Sequence, residues 1–232
     1  MQRSALPILA ALLALSFGAR PACAAAGSLD TTFGSGGATI TTLTTASDIN
    51  GVFPASVRLQ SDGKILALTN VSNGPGTTTD VLRYTTAGVL DTTFGSKGIA
   101  ALPTTLGNES MTIQSNGQIV VAGVSTSGYT VERLNSNGSM DTTFGSDGVA
   151  SASLGGRAAG SGLVVLVETN GDILVVGQLL PAGRRQPAQT MLARFTSAGS
   201  GPQFWHERHD YRNRQRRLLC SGRDFYRRNP GC

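Results

Sequence analysis

Apolar and polar residues alternate along most of this chain in short runs, and each run stops at a turn that carries glycine. "ASVRLQ" (55–60) gives way to Ser61-Asp62-Gly63, after which "KILALT" (64–69) resumes the alternation. "SMTIQ" (110–114), Ser115-Asn116-Gly117 and "QIVVAG" (118–123) repeat the arrangement; "LVVLVE" (163–168), Thr169-Asn170-Gly171 and "DILVVG" (172–177) repeat it again. A period of two over five or six residues belongs to a half-buried strand. Asp-Gly or Asn-Gly between two such runs predicts an antiparallel hairpin closed by a two-residue type I′ turn, with positive φ at both centres. Gly63, Gly117 and Gly171 lie 54 residues apart, so the hairpin recurs at a fixed period.

Each hairpin is followed by a third alternating run, "VLRY" (81–84), "VERL" (131–134) or "LARF" (192–195). "GIAAL" (98–102) and its counterparts offer a fourth. Between third and fourth stands Asp-Thr-Thr-Phe-Gly, which begins at Asp30, Asp91 and Asp141. Four short antiparallel strands per 50–60 residues predict a propeller blade. The expected fold is all-β: a β-propeller-like array of about three four-stranded antiparallel blades, forming an incomplete ring. The repeat domain spans 27–200, with repeats of about 29–89, 90–139 and 140–200.

The recurrent pentapeptide reads as a corner between blades. Asp fixes a turn by accepting nearby backbone N–H groups, Phe plugs the gap between sheets, and Gly permits a sharp bend. A calcium loop is the competing reading, but each copy supplies one carboxylate where a calcium site wants several oxygens.

"LDTTFGSKG", "QSDGKILAL" and "LRYTTAGVLDTTFG" resemble the delta-60 repeat, a bacterial repeat of exported or surface proteins that is expected to form propeller-like blades. The resemblance covers roughly Ser28 to Ser200. It implies no reaction and no cofactor.

Composition adds the ends of the chain to this picture. The net charge of +5 suggests a nucleic-acid or membrane binder, yet residues 1–200 hold 11 Lys+Arg against 11 Asp+Glu. The whole excess lies in 201–232, which also carries Trp205, His206, His209, Cys220 and Cys232. At the other end "MQR" precedes an apolar run of 13 residues, Ala5–Phe17, and then "PACAAAG" with Ala-x-Ala spacing. That predicts a secretory signal over 1–26 rather than a membrane span. Arg20-Pro21-Ala22 before Cys23 lacks the apolar residue that lipid attachment expects. The mature body to Ser200 then has no cysteine, so its core alone must hold it together.

The Arg-rich segment 201–232 replaces the "LDTTFG" that the pattern requires after "LARFTSAGS". Reverse translation of Ser200–Gln215, shifted forward by one nucleotide, allows Leu-Asp-Pro-Ser-Phe-Gly and a further strand. The tail therefore reads as a frameshifted fourth repeat, expected to be disordered. Its eight arginines with interleaved aromatics also fit phosphate and base contacts, but the shifted frame argues against a nucleic-acid partner. His206 and His209 lack further placed metal ligands.

Candidate chemistry is sparse. The body contains no His, which rules out a Ser-His-Asp arrangement within 27–200. Carboxylates that could pair for acid–base work are Asp48, Asp80, Glu109, Glu132, Asp147 and Glu168, none within a motif. No catalytic, cofactor-binding or metal residue is therefore assigned, and no cofactor is expected. Repeat-to-repeat variation concentrates in Thr69–Asp80, Ser153–Gly162 and Gln178–Gln189, the last containing Arg184-Arg185. Loops that vary on a constant scaffold suit recognition. The sequons at Asn70, Asn108 and Asn137 read as chance products of a Ser/Asn-rich chain. The expected function is a secreted, surface or periplasmic binding or adhesion scaffold for a protein or glycan. The alternatives are a truncated, non-functional fragment of a longer propeller, and a propeller hydrolase or lyase. Open blade edges also predict self-association.

Overall fold

The computed structural model describes residues 27–43, 49–73, 76–154, 157–160, 163–181 and 187–200. The expected signal segment 1–26 and the Arg-rich tail 201–232, with their cysteines and histidines, lie outside these residues. Eleven strands form three antiparallel sheets, and no helix occurs among the described residues. Sheet 1 contains β1 (Ile49–Leu59), β2 (Ile65–Asn73), β3 (Gly76–Tyr84) and β4 (Ile99–Ala101). Sheet 2 contains β5 (Gly107–Ile113), β6 (Ile119–Ser125), β7 (Gly128–Leu134) and β8 (Val149–Ala152). Sheet 3 contains β9 (Val164–Val167), β10 (Ile173–Leu179) and β11 (Gln189–Phe195). Each sheet is a simple meander in chain order. β1 touches β5 and β5 touches β9, so the first strands of successive sheets converge on the inner side of the array.

The alternation of the sequence sets the packing. One face of sheet 1 (Leu66, Leu68, Val81, Ala100) packs on Met111, Ile119, Val121 and Leu134 of sheet 2. The other face of sheet 2 (Val120, Ala122, Tyr129, Val131, Ala150) packs on Val165, Ile173, Val175, Met191 and Ala193 of sheet 3. Sheet 2 is thus covered on both sides, and every residue of β7 is buried. Among the described residues no core joins sheet 3 back to sheet 1, and these three sheets do not close a ring.

The hairpins differ from expectation in one respect. Of the turn residues Ser61-Asp62-Gly63 only the glycine has positive φ, and Gly117 and Gly171 behave alike at 84° and 87°. The Gly63 amide donates to the Gln60 carbonyl at 2.9 Å, and the Gln60 amide donates to Lys64 O at 2.8 Å. This is a three-residue loop, a turn followed by a glycine bulge, rather than the two-residue type I′ turn. The Asp or Asn earns its place through its side chain. Asp62 Oδ1 accepts the Lys64 amide, and Asn116 and Asn170 accept the amides of Gln118 and Asp172 in the same way.

Candidate functional site

The Asp-Thr-Thr-Phe-Gly corners are the most elaborate polar constructions in the fold. Within each, the Asp closes its own turn. Asp91 Oδ1 accepts the Thr93 hydroxyl at 2.6 Å and the Thr93 amide at 3.1 Å, while the Phe94 amide donates to the Asp91 carbonyl at 3.0 Å. Asp141 and Thr143 repeat these distances, and Asp30 with Thr32 nearly so. The second oxygen takes a cation. Arg83 Nε donates to Asp91 Oδ2 at 2.9 Å, with Lys64 Nζ at 3.1 Å, and Arg133 Nε donates to Asp141 Oδ2 at 2.7 Å. Gln118, at the position of Lys64, donates its side-chain amide to Asp141 Oδ2.

Each corner then reaches forward to the turn that follows the third strand of the next sheet. Arg83 NH1 donates to the Ser136 carbonyl and Arg133 NH1 to the Ser197 carbonyl, both at 2.7 Å. The Gly95 amide donates to Asn137 O and the Gly145 amide to Ala198 O, both at 2.8 Å. Phe94 and Phe144 are fully buried, and the guanidiniums of Arg83 and Arg133 stack over them at 4.6 and 4.5 Å. The approach is so close that a Cβ on Gly138 would fall 2.8 Å from Gly95 N and 2.9 Å from the Phe94 ring.

The two ion-paired carboxylates are held below the usual range. For Asp91 the Thr93 hydroxyl is the main cause, outweighing the opposing effect of burial, with Lys64 and Arg83 adding to it. For Asp141 burial pulls upward most strongly, but Thr143 and Arg133 together overcome it. Among the described residues no group of three His, Cys, Asp or Glu is placed to hold a metal ion. The oxygens of Asp91 and Asp141 are already committed to Thr, Arg, Lys and Gln. The pentapeptide is an interlock between blades. Sequence reading found the Asp, Phe and Gly of this corner but missed Arg83 and Arg133. The available signal was an Arg eight residues ahead of Asp91 and of Asp141.

The candidate carboxylates do not gather at one place. Asp48 lies outside the described residues. Asp80 sits on β3 with its carboxyl on the open side of sheet 1, where burial pushes it up. Glu109 on β5 accepts from the Asn70 side chain, whose amide also reaches the Leu106 carbonyl at 3.2 Å. Asp147 is exposed at a corner with φ of 52°. Glu168 pairs with Arg194 at 2.9 Å on the surface. Glu132 stands apart from these. It is fully buried on the side of sheet 2 that meets sheet 1, and neither carboxylate oxygen has a hydrogen bond of good geometry. Burial pushes it up to about 7, and the nearby hydroxyl and amide of Thr104 offset only part of that rise.

The segments that vary between repeats do gather. In an antiparallel meander, alternate connections emerge at opposite ends of the sheet. The corners and the three-residue turns therefore share one face of the array. The β2–β3, β6–β7 and β10–β11 connections and the β4–β5 and β8–β9 links share the other. On that second face a cleft of about 400 Å³ is lined by Ser125, Thr126, Ser127 and Gly128 on one wall and Ser153, Leu154 and Arg157 on the other. Arg157 is anchored at 3.2 and 2.9 Å to the Leu180 carbonyl and also to the Gln189 side chain. Asn108 Nδ2 donates to the Gly160 carbonyl at 3.1 Å, tying the β8–β9 link to sheet 2. Arg184 and Arg185 lie outside the described residues.

No curated protein and no solved structure matches this chain. A family model described as "Domain of unknown function (DUF5122) beta-propeller" matches residues 60–94 and 114–144. Both stretches begin at a three-residue turn and end at the Phe of a corner, so they cover the parts that recur. With the three meander sheets, the match places this chain's architecture among propeller-type repeats.

Proposed function

We propose that the chain is an exported binding scaffold, facing the periplasm or cell surface, whose recognition surface is the face bearing the variable connections. The observation that carries this reading is a division of labour between the two ends of the sheets. The constant corners spend their polar groups on one another, whereas Thr69–Asp80, Ser153–Gly162 and Gln178–Gln189 differ between repeats and emerge together at the other end. The cleft there offers serine and threonine hydroxyls beside a fixed guanidinium. Such groups suit a ligand rich in hydroxyls or carboxylates, a glycan or a polar protein segment.

The test is a glycan-array and cell-surface binding screen of the purified protein, followed by titration of any ligand found. Arg157→Ala combined with Ser127→Ala is expected to weaken binding by about tenfold or more, the range for losing one charge-assisted hydrogen bond and a neutral one. Binding that survives this change, and that is lost instead on altering corner residues, would overturn the assignment of the face.

A further inference from the structure

Two pieces of the array lack the neighbours that their counterparts have, and they match. Sheet 3 has three strands, and no strand pairs with the outer edge of β11 among the described residues. The first corner, Asp30–Gly34, with the extended Ala38–Thr42 after it, has no sheet of its own. It docks on sheet 1 as a preceding blade would. The Gly34 amide donates to the Ala87 carbonyl at 2.8 Å, Thr39 Oγ1 to the Gly88 carbonyl at 2.6 Å, and Tyr84 OH to Thr41 Oγ1 at 2.8 Å. One orphan strand and one three-stranded sheet together make one blade.

The chemistry is complementary as well. Asp30 Oδ1 is taken by Thr32, but Oδ2 has no cation among the described residues, unlike Asp91 and Asp141. Eight residues before Asp30 stands Ala22, not an arginine. Arg194 is the counterpart of Arg83 and Arg133, yet eight residues after it stands Pro202 rather than Asp. It is half exposed, and its ion pair among the described residues is with Glu168 at the surface. The carbonyls of Ser136 and Ser197 accept the two buried arginines, while the equivalent Thr86 carbonyl accepts no described donor. Phe33 is only partly covered, where Phe94 and Phe144 are sealed beneath guanidiniums.

The two outer faces fit the same reading. Sheet 1 turns Val57 and Leu59 outward, 63% and 69% exposed, beside a groove of about 740 Å³ floored by Ala67, Leu82 and Tyr84. Sheet 3 turns Val164, Leu166 and Leu192 outward. These faces lie at opposite ends of the array with sheet 2 between them, so within one described chain they cannot meet while the first corner stays docked.

We infer that the occupant of each face is a second copy of this chain. Sheet 3 of one copy packs on sheet 1 of the other, and Ala38–Thr42 completes its partner's third sheet. The observed registers fix the pairing. Leu82↔Ile99 and Glu132↔Val149 align Ala193 with Ala38 across copies, and Asp80↔Ala101 aligns Met191 with Ile40. Arg194 then reaches Asp30 Oδ2 and the Thr86 carbonyl while covering Phe33. Three sheets per copy give six in a closed pair, within the four to eight blades that propeller rings use; three copies would give nine.

Light scattering on the full chain is expected to give twice the monomer mass at micromolar concentration. Arg194→Glu should lower the dimer fraction at least tenfold, while Lys97→Glu at the solvent-facing corner should leave it unchanged. Separately, Ala38→Cys and Ala193→Cys are each placed in a chain whose Cys23, Cys220 and Cys232 are serine, then mixed and oxidised. The expected product is a disulfide-linked heterodimer of the two variants. A monomeric chain with intact strand circular dichroism, or a dimer indifferent to Arg194→Glu, would overturn the proposal. So would a pair of cysteine variants that fails to cross-link although both are folded; that result would leave the outer edge of β11 to residues 201–232 or to another occupant.

Discussion

Glu132 offers the sharpest test of how the blades are held together, because a buried carboxyl has been placed where the other repeats carry carbon. The equivalent residues are Leu82 in sheet 1 and Ala193 in sheet 3, both apolar and buried. Glu132 has no solvent exposure, and its carboxyl titrates near 7 rather than near 4.5 because burial penalises the anion. The sign follows from which state binds the proton. Between about pH 4.5 and pH 7 the folded chain holds a proton that the unfolded chain has released, so stability falls as pH rises through that window. A shift of about 2.5 units corresponds to roughly 3 kcal/mol once both states are ionised, of which roughly 2.5 kcal/mol is lost between pH 5 and pH 8. Glu132→Leu removes that loss and restores the side chain found in sheet 1. The expected result from urea denaturation, followed by far-ultraviolet circular dichroism, is a wild-type midpoint clearly higher at pH 5 than at pH 8. The variant should show little of this dependence and be more stable by roughly 3 kcal/mol at pH 8. A wild-type midpoint equal at the two pH values, or a variant that keeps the slope, would refute the reasoning.

The interlocks give the opposite dependence in acid. Asp91 and Asp141 are held low, so their contribution is complete above the unfolded range near 4 and is lost as pH falls below it; together with Glu132 this predicts a stability maximum near pH 5, read from midpoints between pH 2.5 and 8. Arg133→Met leaves the buried Asp141 carboxylate without a cation, its Oδ2 held only by the Gln118 amide and its Oδ1 by Thr143, and should cost roughly 3 kcal/mol in the same assay; adding Asp141→Asn should recover part of it. Lys97 has φ of 54° at the corner position where the first repeat has Gly36 in open space. Lys97→Gly should therefore raise the midpoint by the equivalent of about 0.5–1 kcal/mol, the left-handed strain exceeding the entropic cost of glycine.

Much of the architecture was legible in the sequence because a repeat shows the same physics several times. The alternation of "KILALT", "QIVVAG" and "DILVVG" located the second strands, and the recurrent turns located their starts. What escaped notice depended on distance in space rather than along the chain. Gly63 takes the left-handed conformation alone because Asp62 secures its turn by a side-chain bond, a choice that the dipeptide cannot announce. Arg83 and Arg133 read as strand residues until the fold swings the corner back beneath them. Glu132 looked like its fellow carboxylates, and only the layering of sheet 1 on sheet 2 separates it from Glu168 at the surface. The gathering of the variable connections at one end follows from strand parity, but the cleft between Ser127 and Arg157 needed the tertiary arrangement.

The forward reach of each corner ends on main-chain carbonyls, those of Ser136 and Asn137 in one joint and of Ser197 and Ala198 in the other. A joint that grips only backbone is blind to the identity of the module it grips, provided the turn keeps its shape. Whole repeats could therefore be duplicated, deleted or shuffled in such a gene without redesigning these polar joints, so that only the apolar faces between sheets and a few cross-sheet side-chain bonds would have to be matched anew. The array's length is free to drift, and the side chains on the opposite rim are free to diversify one module at a time.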